Sequence, residues 1–205
     1  MNFSKKKVAA YLWSIGSLLF FVSILLFVFV YQPSSGTDAD KTSQILSEWV
    51  LVATIWRVEA IAAVLIAVSS WYFATVKQSI SWFLISFAHI VMILMYANML
   101  GSYPVAAEFY NESPRLFPML NDKAIWIFGF SNLLFLTGLA GVYLTNKTLP
   151  KWMVWTGVII SFLGALASLA LYFELITFAD LNIGGPLILI LFLLNFYLGL
   201  KLAKE

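Results

Sequence analysis

The sequence predicts an all-α membrane protein, a six-transmembrane-helix bundle with both termini in the cytoplasm. Three observations support this prediction: the chain is 62% hydrophobic and 11% charged, long apolar windows recur along it, and its lysines concentrate in alternate connections. A soluble domain of 205 residues has no need for so much apolar surface. We therefore interpret residues 1–205 as a single transmembrane domain.

A helix that crosses the hydrocarbon core of a membrane needs about 20 mainly apolar residues. Six windows meet this requirement: about 8–31, 49–76, 80–100, 124–145, 152–176 and 183–202. The first window follows three lysines, as a signal peptide would, but its apolar run is too long and no small-residue cleavage site follows it. We expect this window to be retained as the first spanning helix.

The charges of the connections predict the orientation, because basic residues in short loops favour the cytoplasmic side. One predicted side carries most of the lysines: Lys5, Lys6, Lys7, Lys77, Lys147, Lys151, Lys201 and Lys204. The opposite side is mainly acidic and holds two long outer loops, 32–48 and 101–123. Since the second loop mixes three prolines with aromatic residues, we expect it to form a partly folded cap on the bundle.

Composition excludes several classes of site. The chain has no cysteine and one histidine, His89, so thiolate metal sites, iron–sulfur clusters and multi-histidine centres within one chain are excluded. The basic residues are explained by membrane topology, and we expect no nucleic-acid partner. The sequence contains no catalytic motif and no mid-helix lysine that could hold retinal, so we expect no cofactor, no metal and no catalytic residue.

The stretch TIWRVEA at 54–60 is the most unusual, because it places Arg57 and Glu59 inside the second predicted span. At 1.5 Å per residue they lie about 12 and about 15 Å below its outer end, near the midplane of a core about 30 Å thick. A charge at that depth costs on the order of 3 kcal/mol. We therefore expect both side chains to face the bundle interior or a wet cavity, with partners from other helices.

Other predicted helices supply polar groups at similar or shallower depth, and we expect them to form an outward-facing polar pocket. The candidate ligand-binding residues are Arg57, Glu59, His89, Asn98, Asn132 and Glu174. Asp180 is a further acid expected near the outer surface. A structural interpretation stays open beside this one, in which the same groups only join helices through buried hydrogen bonds.

Two other patterns concern packing and membrane anchoring. Small residues predict close helix contacts at Gly157, Ser161, Gly164, Ala165 and Ser168, and at Gly138, Ala140 and Gly141. Tryptophans near predicted helix ends are typical of interfacial anchors: Trp49, Trp82, Trp126, Trp152 and Trp155.

Three segments together resemble a known family: DADKTSQILSEWVLVATIWRVEAIAAVLIAV, FGFSNLLFLTGLAGVYL and LPKWMVWTGVIISFLG. In their order and spacing, the chain resembles the bacterial six-helix membrane family called domain of unknown function 4386. By this resemblance Arg57 looks like the family's second-helix arginine. The turn before the fifth helix is matched by Pro150, Lys151, Trp152 and Gly157. The resemblance implies a bacterial cytoplasmic (inner) membrane and a six-helix bundle, and it implies no reaction.

The leading hypothesis is a non-enzymatic binding or transport-type protein, or an accessory subunit, that recognises a lipid-like or small amphipathic ligand. An arginine in an apolar cavity suits an anionic headgroup or a carboxylate. Two alternatives stay open: an intramembrane enzyme with Glu59 and His89 as an acid–base pair, and a purely structural subunit of a larger membrane complex. The expected partners are membrane lipids, with a homo-oligomer or a larger complex also open.

Overall fold

A computed structural model describes residues 4–177 and 185–204 of the chain, and these residues form helices and contain no β-strand. The helices are α1 Lys5–Leu26 with a π-helical turn Phe27–Tyr31, α2 Asp38–Ser47, α3 Trp49–Lys77, α4 Ile80–Glu108, α5 Leu116–Thr145, α6 Lys151–Tyr172 and α7 Gly185–Leu202. Within this part of the chain, five helical segments are long and apolar enough to cross a membrane, and α7 is a shorter apolar helix. The all-helical fold is confirmed, and the apolar helices indicate a membrane protein.

The long helices pack mostly in chain order. α1 lies against α3, α3 against α4, α4 against α5 and α5 against α6, while α7 packs mainly against α1 and only slightly against α6. The short helix α2 packs against α4 and, less extensively, against α3 and α5. This order brings side chains of α1, α3 and α4 together in one half of the bundle, which is where Glu59 lies.

One end of the bundle gathers the lysine-bearing segments, and we call it the lysine end. Trp13 near the start of α1 packs edge-on against Trp82 near the start of α4, with ring centroids 5.0 Å apart. The indole N–H of Trp13 donates to the carbonyl of Asn195 on α7 at 2.8 Å, and Tyr143 near the end of α5 donates to the Asn195 side chain at 2.8 Å. The starts of α1 and α4 and the ends of α5 and α7 therefore meet at this end.

The outer segment 101–123 differs from the expected loop. α4 and α5 extend into it from either side, so only 109–115 remains as a connection. Pro104 lies inside α4, and Pro118 lies in the first turn of α5, where a missing N–H leaves no helical hydrogen bond unmade. The side chain of Tyr103 is buried, which holds this end of α4 against the bundle. The expectation of a long loop over all of 101–123 is wrong in its bounds, since helix occupies this segment except for 109–115.

The other outer segment, 32–48, contains α2 and is tied to the bundle by polar contacts. Thr37 caps α2, since its hydroxyl oxygen accepts the backbone N–H of Asp40 at 3.3 Å. The Asp40 carboxylate in turn accepts the hydroxyl and the N–H of Thr37, each at 2.7 Å. These hydrogen bonds, first from the hydroxyl and then from the backbone, lower the pKa of Asp40 below its usual value. The side-chain amide of Gln44 donates to the carbonyl of Tyr31 at 3.0 Å. α2 is therefore fixed to the end of the first span.

Glycines allow the helices to approach closely, as the sequence predicts. A Cβ added at Gly138 would lie 2.6 Å from the carbonyl oxygen of Ser81, and one added at Gly157 would lie 2.6 Å from the ring of Tyr143. These distances are too short for any side chain, so the prediction of close packing is confirmed at both positions.

Trp82 is the exception among the expected interfacial anchors. It is buried, and its ring centroid lies 4.9 Å from that of Phe73. Three of the other tryptophans are exposed on the surface of the bundle, as expected: Trp126, Trp152 and Trp155. The interfacial prediction for Trp82 is wrong because its ring points into the bundle, where it fills the space between α1 and α3.

Candidate functional site

Arg57 lies on the surface of the bundle rather than in its interior. Exposed residues of α3 recur at helical spacing, and we call them the α3 outer stripe: Val50, Thr54, Arg57, Ile61, Val64, Val68 and Trp71. Such a stripe on a spanning helix contacts lipid acyl chains, because positions three and four apart share one face. The expectation that Arg57 faces the bundle interior is wrong.

The length of α3 explains how a membrane tolerates this arginine. The helix has 29 residues, a length of about 43 Å against a hydrocarbon core about 30 Å thick. If α3 is centred in that core, the Cα of Arg57 lies about 6 Å from the core boundary nearer the start of α3. An arginine side chain spans that distance and can place its guanidinium among the headgroups. Among residues 4–177 and 185–204, Arg57 has no ion pair or hydrogen bond.

Glu59 points to the opposite side of α3, into the bundle. Its Oε1 accepts the hydroxyl of Ser23 on α1 at 3.2 Å, and the phenol of Tyr96 on α4 forms a hydrogen bond with the same carboxyl group. The Glu59 residue is half-buried, whereas Tyr96 and Ser23 are buried. Three helices therefore converge on one carboxyl group, and we call Ser23, Glu59 and Tyr96 the polar layer.

His89 is buried among aromatic rings and does not share hydrogen-bond partners with Glu59. Its Nδ1 lies 2.8 Å from the carbonyl oxygen of Ile85, a contact that requires the proton on Nδ1. The imidazole packs edge-on against Phe20 and Phe135, with centroid distances of 5.9 and 4.9 Å. These contacts describe a satisfied core histidine, and they give the acid–base pairing of Glu59 with His89 no support.

Aromatic contacts place the polar layer between two apolar layers. On its outer side, the ring of Tyr103 contacts those of Trp56 and Phe117, with centroids 5.3 and 5.5 Å apart. On the lysine-end side, Phe192 of α7 stacks on Phe20 at 5.2 Å, beside the His89 ring. The carboxyl group of Glu59 is therefore enclosed along the bundle axis by rings, while its own contacts are hydroxyl groups.

Asn98 and Asn132, two further predicted site residues, bond within their own helices. The side-chain amide of Asn132 donates to the carbonyl of Phe128 at 3.0 Å. The side-chain carbonyl of Asn98 accepts the hydroxyl of Ser102 at 3.3 Å, while its Nδ2 is buried and has no hydrogen-bond partner in the described part of the chain. Among the described residues, neither asparagine forms a hydrogen bond with Glu59.

The last predicted site residue, Glu174, lies just beyond α6 on the surface. Its carboxylate accepts the indole N–H of Trp126 at 3.2 Å, and its backbone is in the left-handed region with φ of 57°. Asp180 lies outside the described residues. The structure thus does not bring the six predicted residues into one pocket: Glu59 joins Ser23 and Tyr96, and the others lie apart.

A second polar cluster, at the lysine end, was not predicted from the sequence. Asn195, Trp13 and Tyr143 are buried, and we call them the inner cluster. Two hydrogen bonds of 2.8 Å connect them, while the Nδ2 of Asn195 is buried without a partner among the described residues. The available signal was a single asparagine in an otherwise apolar helix, which predicts an interhelical hydrogen bond but not its partners.

Two cavities lie away from Arg57 and Glu59. One of about 270 Å³ adjoins the turn between α3 and α4 and is lined by Trp71, Ile80 and Phe83 among others. The second, of about 160 Å³, lies between α1 and α7 at the lysine end. Within residues 4–177 and 185–204, no group of three histidine, aspartate or glutamate side chains is placed to hold a metal ion.

No protein-family model, curated protein or solved structure matches the chain. The resemblance to the family called domain of unknown function 4386 therefore rests on the three quoted segments alone.

Proposed function

We propose that the protein is a non-enzymatic, multi-pass protein of a bacterial cytoplasmic membrane that binds an anionic lipid-like molecule through Arg57. One observation supports this proposal above the others: an exposed arginine without a described partner lies in the apolar α3 outer stripe. The ligand is held on the surface of α3, in the outer leaflet, rather than in an interior pocket.

The chemistry of the two parts of a phospholipid matches the two parts of this surface. A guanidinium group can donate two parallel hydrogen bonds to phosphate oxygens, which makes arginine a strong phosphate binder. Below Arg57, the side chains of Ile61 and Val64 are 55% and 43% exposed and provide an apolar path for an acyl chain. A phospholipid with its headgroup at Arg57 and an acyl chain along the α3 outer stripe therefore matches both the charged and the apolar part of this surface.

The proposed topology has six spanning helices, with the lysine end in the cytoplasm. α7 has 18 residues and a length of about 27 Å, which approaches the core thickness of about 30 Å. Lysines in short connections favour the cytoplasmic side. We expect cysteines introduced at Ser35 and Glu112 to react with an impermeant thiol reagent in whole cells, and one at Gln78 to be protected. Labelling only at the cysteine that replaces Gln78 would show that the orientation is the reverse of the proposed one.

Lipid binding is tested by thermal unfolding and native mass spectrometry of the full chain in mild detergent, with phosphatidylglycerol or phosphatidylcholine added. We expect phosphatidylglycerol to raise the Tm of the native chain, because a ligand that binds only the folded state stabilises it. Arg57→Leu should lose the part of this rise that depends on Arg57, Arg57→Lys should lose less of it, and Thr54→Val on the same stripe should retain all of it.

The same variant tests whether Arg57 is instead a structural residue. Without lipid, Arg57→Leu should unfold within about 0.5 kcal/mol of the native chain, as surface substitutions do. An undiminished lipid-dependent Tm rise in Arg57→Leu would contradict the proposed function.

A structural subunit is the second candidate, and the same exposed arginine favours it, because an acid of a second copy or of another protein can pair with Arg57 across the α3 outer stripe. Native mass spectra then show a dimer or a fixed partner that Arg57→Leu loses, rather than a bound lipid. The intramembrane enzyme has no such observation in its favour, since Glu59 and His89 bond to different groups.

A further inference from the structure

A groove at the lysine end separates the beginning of α1 from the end of α7. It has a volume of about 160 Å³ and is lined by Tyr11, Tyr197, Leu200, Lys201 and Lys204. Its walls therefore combine two phenols, one aliphatic side chain and two ammonium groups. It lies at the opposite end of the bundle from Arg57 and shares no residue with the α3 outer stripe.

The floor of this groove is rigid because the two helix backbones touch there. A Cβ added at Gly199 would lie 2.8 Å from the carbonyl oxygen of Ala10, so only glycine permits this approach. The hydroxyl of Ser14 donates to the carbonyl of Phe196 at 3.1 Å and joins the same two helices. The two helices that flank the groove are therefore held at a fixed spacing.

The positions of the charges make this groove attractive to an anion. The ammonium group of Lys201 lies 5.3 Å from the ring centroid of Tyr197, a cation–π contact that holds it against the wall. In sequence, Lys5, Lys6 and Lys7 add three positive charges at the start of α1, and the sole acid near either segment is Glu205. Phosphate oxygens can accept hydrogen bonds from both the ammonium and the phenol groups that line the groove.

We propose that this groove binds the phosphodiester headgroup of an anionic phospholipid in the leaflet around the lysine end. Basic pockets between spanning helices on the cytoplasmic side are suited to such headgroups. Next to the groove, the exposed α1 side chains Ile15 and Leu18 continue toward the membrane core. An acyl chain can follow them, which favours a lipid over a soluble phosphate.

The test compares native chain and Lys201→Gln/Lys204→Gln by native mass spectrometry and Tm, with phosphatidylglycerol titrated into detergent-solubilised full chain. Two lysines near a membrane surface contribute about 30-fold to affinity together, so we expect about that loss in the double variant. The matched control is Lys147→Gln/Lys151→Gln, which removes two charges from the same end of the bundle away from the groove and should bind as the native chain does.

Further variants and competitors separate this groove from the Arg57 surface and from a site for free phosphate. Arg57→Leu should keep the binding that depends on Lys201 and Lys204. The two proposed lipid sites are therefore tested independently of each other. Glycerophosphoglycerol and inorganic phosphate should compete poorly, because they lack acyl chains. Lys204→Gln alone should weaken phosphatidylglycerol binding about fivefold. Because Lys204 is exposed, this single variant still tests the proposal if the double variant does not fold. Equal phosphatidylglycerol affinity in native and groove variants, or full competition by inorganic phosphate, would overturn the proposal.

Discussion

The inner cluster and the polar layer are both polar groups inside an apolar bundle, but they differ in what satisfies them. Trp13, Asn195 and Tyr143 are neutral, fully buried and joined by two hydrogen bonds of 2.8 Å. Glu59 carries an ionisable carboxyl group, is half-buried and meets only hydroxyl groups. The inner cluster joins α1, α5 and α7, whereas the polar layer surrounds an ionisable carboxyl group with hydroxyl groups.

This difference has a physical basis. Neutral donors and acceptors inside a membrane bundle can satisfy one another with little penalty for removal from water, and interhelical bonds of this kind are worth about 0.6 kcal/mol on average. A carboxyl group in the same setting is costly unless it is paired or protonated. The two hydrogen bonds of the inner cluster are therefore explained by their role in joining helices. In the polar layer, by contrast, a change in the charge of Glu59 should alter the stability of the bundle.

The largest effect should come from breaking the inner cluster. Trp13→Ala removes a fully buried side chain and its hydrogen bond to Asn195, and a buried tryptophan truncated to alanine costs about 3–5 kcal/mol. Thermal or denaturant unfolding in detergent measures this loss. Trp155→Ala is the matched control, because Trp155 is 58% exposed on the bundle surface, and it should stay within about 0.5 kcal/mol. Similar losses for both variants would show that burial in the bundle does not govern stability.

A smaller effect should follow from changes in the polar layer. Glu59→Leu leaves the phenol of Tyr96 without its partner, and a buried unsatisfied group costs about 1–3 kcal/mol. Adding Tyr96→Phe should recover much of that loss, and Glu59→Gln should cost less because an amide still accepts these hydrogen bonds. Unfolding free energies of the single and double variants give the coupling directly. Strictly additive losses would mean that Glu59 and Tyr96 do not interact.

The sequence predicted the helices well because a run of about 20 apolar residues in this composition has few other uses. It failed at the outer ends of α4 and α5, where Pro104 and Pro118 suggested a loop but aromatic packing continued both helices. The helical extensions were therefore decided by tertiary contacts that no local pattern carries.

The candidate site was predicted in part. Glu59 stood out because a mid-span carboxyl group is costly, but Ser23 did not, since serines are common in this chain. Arg57 was assigned to the interior because its depth was counted from the helix start as though that were the membrane boundary. α3 is longer than the core, and the surplus length brings Arg57 within reach of the headgroups.

The hydrogen bond between Ser23 and Glu59 also has a consequence for biosynthesis. Ser23 belongs to the span that is made immediately before α3, so Glu59 leaves the ribosome when its first partner has already been synthesised. α1 and α3 can then enter the bilayer as a hairpin in which the carboxyl group is not left without a hydrogen bond. Tyr96 arrives with the next helix. The inner cluster, by contrast, forms late in synthesis, because Asn195 can bond to Trp13 and Tyr143 only after α7 has been made.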